Sequence, residues 1–174
     1  MAVIEAIETV YLEVNNVTIV TFASIPATYE HLQLRVSSHD QDTVSANYLY
    51  VRLNNDSGSN YSSHFVEGYS SSNYASAATG ATYGKWGTAI GANNMATEYS
   101  NSVIDILDYA NTNKNTTIQY LSGAATELAG ARNVKFGSSL WDDTSAVSEI
   151  DVYVTGTPAF QRGTEMTLYG LNSS

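Results

Sequence analysis

A period of two runs through most of this chain, and it constrains the fold more than any other feature. In residues 31–36, Leu32, Leu34 and Val36 point one way, and His31, Gln33 and Arg35 the other. In residues 46–53, Leu49, Val51 and Leu53 alternate with Tyr48, Tyr50 and Arg52. In residues 149–154, Ile150, Val152 and Val154 alternate with Asp151 and Tyr153. Successive side chains of an extended chain face opposite ways, so each run reads as a strand with one buried and one wet face. Residues 117–121 and 133–136 repeat the pattern over fewer positions, and 16–22 and 164–171 are rich in β-branched and aromatic residues. Residues 103–109 are more apolar, which places them centrally, with Ile104 and Ile106 on one face and Asp105 on the other.

The punctuation between these runs is turn chemistry. Asn54-Asn55-Asp56-Ser57-Gly58, Asn111-Thr112-Asn113 and Asn172-Ser173 supply residues that tolerate left-handed backbone or form Asx turns. Pro26 and Pro158 each lie between strand-like runs. Val3, Ile4, Ile7, Val10, Tyr11 and Val14 also fit a helical stripe, but Thr9, Val10 and Tyr11 favour a strand, and Asn15-Asn16 reads as a hairpin turn into 17–22. Residues 124–129 fit a short helix or a turn. Short strands without a long helical segment point to an all-β fold, an antiparallel β-sandwich of jelly-roll type. The expected organisation is one domain over 1–174, with 1–24 an N-terminal hairpin or arm. The expected inward set is Leu32, Leu34, Val36, Leu49, Val51, Leu53, Ile104, Ile106, Ile118, Val134, Phe136, Ile150, Val152, Val154 and Leu168.

Composition narrows the function classes. Charged residues make up only 14% of the chain, yet 43% are hydrophobic, which is the profile of a folded protein and not of a disordered one. The net charge is −10 and the seven Lys and Arg are scattered, which argues against nucleic acid and against an anionic membrane as partners. There is no Cys, so neither a disulfide framework nor thiol chemistry is expected. The first residues carry neither a basic nor an apolar leader segment, so no secretory signal is expected.

The stretch 55–84 is mostly Tyr, Ser, Gly, Asn and Ala, with only Asp56 and Glu67 charged. Tyr gives rigid amphipathic contact area at low entropic cost, and Ser, Gly and Asn give adaptable hydrogen bonds. This composition suits contact better than catalysis. The candidate contact residues are Tyr61, Tyr69, Tyr74, Tyr83 and Trp86, the last favoured as exposed because Gly84 and Gly87 flank its short segment.

Chemistry is sparse. His31, His39 and His64 fall in no metal-binding spacing, and no Gly-x-Ser-x-Gly elbow singles out a serine nucleophile. Asp40 and Asp42, beside His39, could hold a divalent cation, but the sequence positions no third and fourth ligand, so a solvated loop between two strands is the favoured reading. Asn54-x-Asp56-x-Gly58-x-Asn60 loosely echoes a calcium loop but lacks the closing Glu. Trp141 reads as a core residue at a strand end. A carbohydrate-active enzyme would need two carboxylates across a cleft, and Asp105 and Asp108 fall on opposite faces of their strand. The expectation is therefore no catalytic residue, no metal and no cofactor.

Several segments together resemble small virion structural proteins of tailed bacteriophages, particularly aquatic and cyanobacterial phages. They are Ile25-Pro26-Ala27-Thr28-Tyr29-Glu30-His31-Leu32-Gln33-Leu34-Arg35, residues 51–62, residues 104–114, Ser139-Leu140-Trp141 and Met166-Thr167-Leu168-Tyr169-Gly170-Leu171, in that order. The resemblance implies a non-enzymatic protein on the virion surface, assembled in the host cytoplasm. Because no shaft or coiled coil precedes the first motif, it implies a capsid decoration or cement protein, with the major capsid protein or other virion proteins as partners. The implied assembly is a homo-oligomer, a trimer. The alternative is a receptor-binding module on the tail or a fibre tip, engaging host surface glycan through Trp86 and the tyrosines of 61–83.

Overall fold

The computed structural model describes residues 3–43, 46–91, 97–126, 132–154 and 159–173. Among them are twelve strands: β1 (Val3–Tyr11), β2 (Ile19–Phe22), β3 (His31–Ser38), β4 (Ala46–Leu53), β5 (Tyr61–Tyr69), β6 (Ser72–Ala81), β7 (Gly84–Ile90), β8 (Ser100–Leu107), β9 (Thr116–Ala124), β10 (Asn133–Trp141), β11 (Ile150–Val154) and β12 (Glu165–Asn172). They form an eight-stranded sheet in the order β1-β12-β3-β8-β9-β10-β5-β6 and a four-stranded sheet in the order β2-β11-β4-β7. Every pairing between neighbouring strands is antiparallel.

The strand order is that of a jelly roll with additions. From β2 the chain alternates between the two sheets, except for the hairpin β5–β6 and the run β8–β9–β10, which stay within the larger one. The order β2-β11-β4-β7 opposite β3-β8-…-β5-β6 is the double Greek key of that fold. The hairpin β9–β10 is inserted between β8 and β5, and β12 and β1 extend the far edge. The antiparallel jelly-roll sandwich expected from the alternation is thus the fold found.

The core fills the space between the sheets. Leu32, Leu34 and Val36 of β3, Ile104 and Ile106 of β8, and Leu168 of β12 face Leu49, Val51 and Leu53 of β4 and Ile150 and Val152 of β11, all buried. Ile118 and Val154 are buried as well. Asp105 faces outward from β8, where Gln33 Nε2 donates to its Oδ1 at 2.8 Å. At one end of the core, packing gives way to small polar groups. Ser100 Oγ donates to Thr88 O at 2.6 Å, and Ser102 Oγ donates to Ser122 Oγ at 2.9 Å. A Cβ on Gly87 would lie 2.5 Å from Ser102 Oγ, so glycine there lets β7 approach the larger sheet closely.

Two expectations are corrected. Val134 and Phe136 are not core residues; they are exposed on the outer face of β10, while Lys135, Gly137, Ser139 and Trp141 point inward. The parity of β10 is shared with its neighbours through the register, and Trp141 and Ser139 face the core. A strand cannot turn both sets of alternate residues inward. The second correction concerns residues 1–24. β1 is a strand as expected, but it does not pair with β2: β1 pairs β12 in the larger sheet and β2 pairs β11 in the smaller. Asn16, at φ 68°, makes a turn that carries the chain from one sheet to the other, not a hairpin. Asn54 and Asn55 do adopt positive φ, and Asp56 N donates to Leu53 O at 2.9 Å, closing a tight type I′-like turn after β4. Residues 127–129 of the expected helix or turn, and Pro158, lie outside the described residues.

Candidate functional site

The outer face of the larger sheet carries an apolar row that crosses four strands. Val103 of β8 is the register partner of Leu121 of β9, Leu121 of Phe136 of β10, and Phe136 of Val66 of β5; Ala75 of β6 continues it. Directly opposed residues on antiparallel neighbours point to the same face, so the four large side chains stand side by side. All are exposed, Phe136 at 55%. Val134, two residues along β10 from Phe136, widens the row. A shallow groove of about 420 Å³ runs beside it, lined by Val66, Gly68, Asn73, Ala75, Val134 and Phe136 among others. The sequence signal was present: Val134 and Phe136 alternate out of phase with Trp141 on the same strand. Only one of the two sets can be buried.

The expected aromatic contact set divides. Tyr69 and Tyr74 are exposed, on either side of the β5–β6 turn, and Tyr74 packs against Phe65 with ring centroids 5.9 Å apart. Tyr83 is half-buried, edge-on to Tyr50 at 4.5 Å. Tyr61 and Trp86 are buried and cannot serve as contact residues. Tyr61 points inward from β5, and its hydroxyl accepts from Leu53 N at 2.9 Å. The indole of Trp86 lies against Gly84, whose added Cβ would fall 2.1 Å from Nε1. Gly84, with no side chain, makes room for the indole and permits its burial.

A second concavity lies between strands of the two sheets. Its lining includes Asn47 and Tyr48 of β4, Glu67 of β5, Thr88 of β7, and Asn133 and Lys135 of β10, around a volume of about 150 Å³. Lys135 is 2% exposed. Its Nζ lies 3.5 Å from Oε1 of Glu67, its register partner on β5, and 4.1 Å from the ring centroid of Tyr48. Lys85 Nζ lies 4.9 Å from the same ring. Burial pulls the Lys135 ammonium below the ordinary lysine range; Glu67 opposes this and the Lys85 charge adds to it. Thr88 Oγ1 and Asn133 Oδ1 are buried without a hydrogen-bond partner among the described residues. Alternation alone assigned Lys135 to a wet face, so nothing in the sequence flagged this cleft.

His39 and Asp40 are not solvated: both are fully buried, His39 bridged to Ile90 and Asp40 to Phe160. Asp40 N donates to Ile90 O at 2.6 Å, and Asp40 Oδ1 accepts from Asp42 N at 2.7 Å. Burial raises the Asp40 carboxyl to about 7, against hydrogen bonding from Asp42 N and the Asn47 side chain. Asp42 Oδ2 instead accepts from Asn47 Nδ2 at 3.0 Å. Among the described residues no group of three or more His, Cys, Asp or Glu converges as a metal site. Asp56, in the other acidic loop, accepts from Gly58 N, Asn60 Nδ2 and Trp141 Nε1. These three donors occupy its carboxylate within the protein.

No family model and no curated protein sequence matches the chain. Among solved structures, the chain is similar to the Caenorhabditis elegans galectin LEC-6, at 9% identity over 95% of this chain and 96% of that one, with a TM-score of 0.36. It is also similar to a mutant of the alginate lyase Aly36B in complex with alginate trisaccharide, at 10% identity over 95% and 80%, with a TM-score of 0.32. A third is the CBM2 module of Lactobacillus casei BL23 phage J-1 evolved Dit, at 8% identity over 94% and 76%, with a TM-score of 0.17. Likenesses this distant do not bear on what the chain binds.

Proposed function

We propose that this chain is a non-enzymatic structural protein of a phage virion, a decoration protein held on the outer head surface through the outward face of its eight-stranded sheet. The observation that carries the reading is the row Val103–Leu121–Phe136–Val66, four large apolar side chains exposed side by side. Contiguous exposed apolar surface on a soluble domain marks a protein contact. The row itself carries no charge in a chain of net charge −10, so desolvating it against a partner strands no ion. The order of sequence segments resembling phage virion proteins supplies the class of partner, a capsid shell, and the trimer is the assembly that fits its three-fold positions.

The burial of Tyr61 and Trp86 removes two of the aromatic residues on which glycan recognition was expected to rest. The test is the position of the protein in the particle, read by cryo-electron microscopy, together with rebinding of purified protein to particles that lack it. Density at three-fold sites across the shell, with rebinding abolished by Phe136→Ser, is the expected result. Density confined to the tail, or host-cell binding without particle rebinding, overturns it.

A further inference from the structure

We propose that the cleft between β4, β7, β5 and β10 is a binding site for a carboxylated sugar unit, its carboxylate held by Lys135 and attracted by Lys85 beside the Tyr48 ring, and its hydroxyls held by Thr88 and Asn133. The cleft stands apart from the apolar row, so either proposal can fail without the other.

Charge is the first argument. Two ammonium groups approach the ring of Tyr48, at 4.1 Å for Lys135 and 4.9 Å for Lys85. One carboxylate, Glu67, answers them, at 3.5 Å from Lys135. Among the described residues no carboxylate lies within ion-pair distance of Lys85. Within the lining Lys135 and Glu67 balance, and the excess positive charge comes from Lys85, which stands outside the lining beside the Tyr48 ring, in a chain of net charge −10. An anionic group entering the cleft meets local attraction.

Unmet hydrogen bonding is the second. Thr88 Oγ1 and Asn133 Oδ1 both line the cleft and both are buried without a partner among the described residues. Buried polar groups are nearly always paired, and an unpaired one in a concavity points to a ligand group that pairs it. A carbonyl oxygen such as Asn133 Oδ1 needs a donor, which a carboxylate lacks and a sugar hydroxyl supplies. A hydroxyl such as Thr88 Oγ1 accepts and donates, as sugar hydroxyls do. The ligand must combine a negative charge with donors on a compact frame, and a cleft of about 150 Å³ has room for one such ring.

The test is saturation-transfer NMR and calorimetric titration of the folded protein with sodium glucuronate, with glucose and sodium acetate as comparisons. Glucuronate should bind, glucose and acetate markedly less. Lys85→Met, at a half-buried position, should weaken glucuronate by about tenfold. Glu67→Gln, which removes the competing carboxylate, should strengthen it. No saturation transfer from glucuronate overturns the proposal, as does equal affinity for acetate, for glucose or for the Lys85→Met variant. If Glu67→Gln does not fold, the Lys85→Met comparison decides alone.

Discussion

Trp141 Nε1 donates to Asp56 Oδ2 at 2.7 Å, tying the end of β10 in the larger sheet to the turn that follows β4 in the smaller. The same carboxylate accepts from Asn60 Nδ2 at 2.8 Å and, through Oδ1, from Gly58 N at 2.7 Å. Partial burial pushes the Asp56 carboxyl up, but the donors from Trp141, Asn60 and Gly58, with the Arg52 charge, outweigh it and hold the carboxyl below its ordinary value. One residue thus fixes the geometry of a turn and latches the two layers together at that end.

Replacing Trp141 by Phe keeps most of the buried ring and deletes the donor. Hydrogen bonds to charged groups contribute about 1.5–3 kcal/mol, so Trp141→Phe should destabilise the fold by about that amount. The Asp56 carboxyl is depressed in the folded state, so its contribution is present above the unfolded value and is lost as pH falls through the folded one. Urea unfolding at neutral and acid pH should find the gap between wild type and Trp141→Phe narrowing in acid. A gap that holds constant down to pH 2 would show that Asp56 is not the partner that matters.

Gly137 of β10 lies beneath the ring of Tyr120 on β9, and a Cβ at that position would sit 2.4 Å from the Tyr120 Cζ and hydroxyl. Gly137→Ala should therefore force the ring from its site and cost about 1–3 kcal/mol, as overpacking does. Gly68→Ala is the control, since its nearest neighbour would be Val134 Cγ1 at 3.5 Å, an ordinary contact. Thermal melts should show a lowered midpoint for the first variant and a midpoint equal to or above wild type for the second.

The outward apolar row contributes little to the stability of the isolated chain, because its side chains are already exposed. Phe136→Ser should change the unfolding free energy by no more than about 1 kcal/mol, the scale of lost cross-strand contacts. Leu34→Ala, at a fully buried position, should cost about 2–5 kcal/mol. Chemical denaturation of the two variants checks the contrast. A large loss from Phe136→Ser would mean that the outer face supports the fold and not a partner.

Asp40 gives stability an unusual slope. Its carboxyl is raised to about 7 by burial, whereas the unfolded chain ionises it near the ordinary carboxylate value. The folded state therefore holds more protons in the interval between, so this contribution is present at about pH 4 and is lost as pH rises through about 7. Asp40→Asn should remove the decline across that window, which denaturation series at pH 4, 5.5 and 7.5 would detect. A wild type and a variant running parallel across the series would sink the assignment.

Much of the fold was legible in particular residues. Leu32, Leu34 and Val36 alternate with polar partners and are buried as that alternation requires, and the paired asparagines at 54 and 55 adopt the left-handed backbone that their type permits. Trp141 was legible as core. The candidate surface was less so. Local composition marked Tyr61 and Trp86 as contact residues, but whether an aromatic ring is exposed depends on what the opposite sheet places above it. The cleft around Lys135 was invisible, because its members come from β4, β5, β7 and β10, up to 89 positions apart along the chain between Ala46 and Lys135.

The sequence by itself determined that the chain is built of strands, since a side-chain period of two is a local property of extended backbone. It also determined which residues of each strand share a face. The tertiary structure decided which face of each strand turns inward. On β10 the two alternate sets are Val134 with Phe136, and Lys135 with Gly137, Ser139 and Trp141. Local hydrophobicity over 133–136 favours the first set, and the structure buries the second. Register binds β10 to β9 and β5, so its parity had to satisfy Ile118, Tyr120, Tyr61 and Phe65 on its neighbours at the same time. The same shared parity leaves Val103, Leu121, Phe136 and Val66 together on the outside, as one row that no single strand contains.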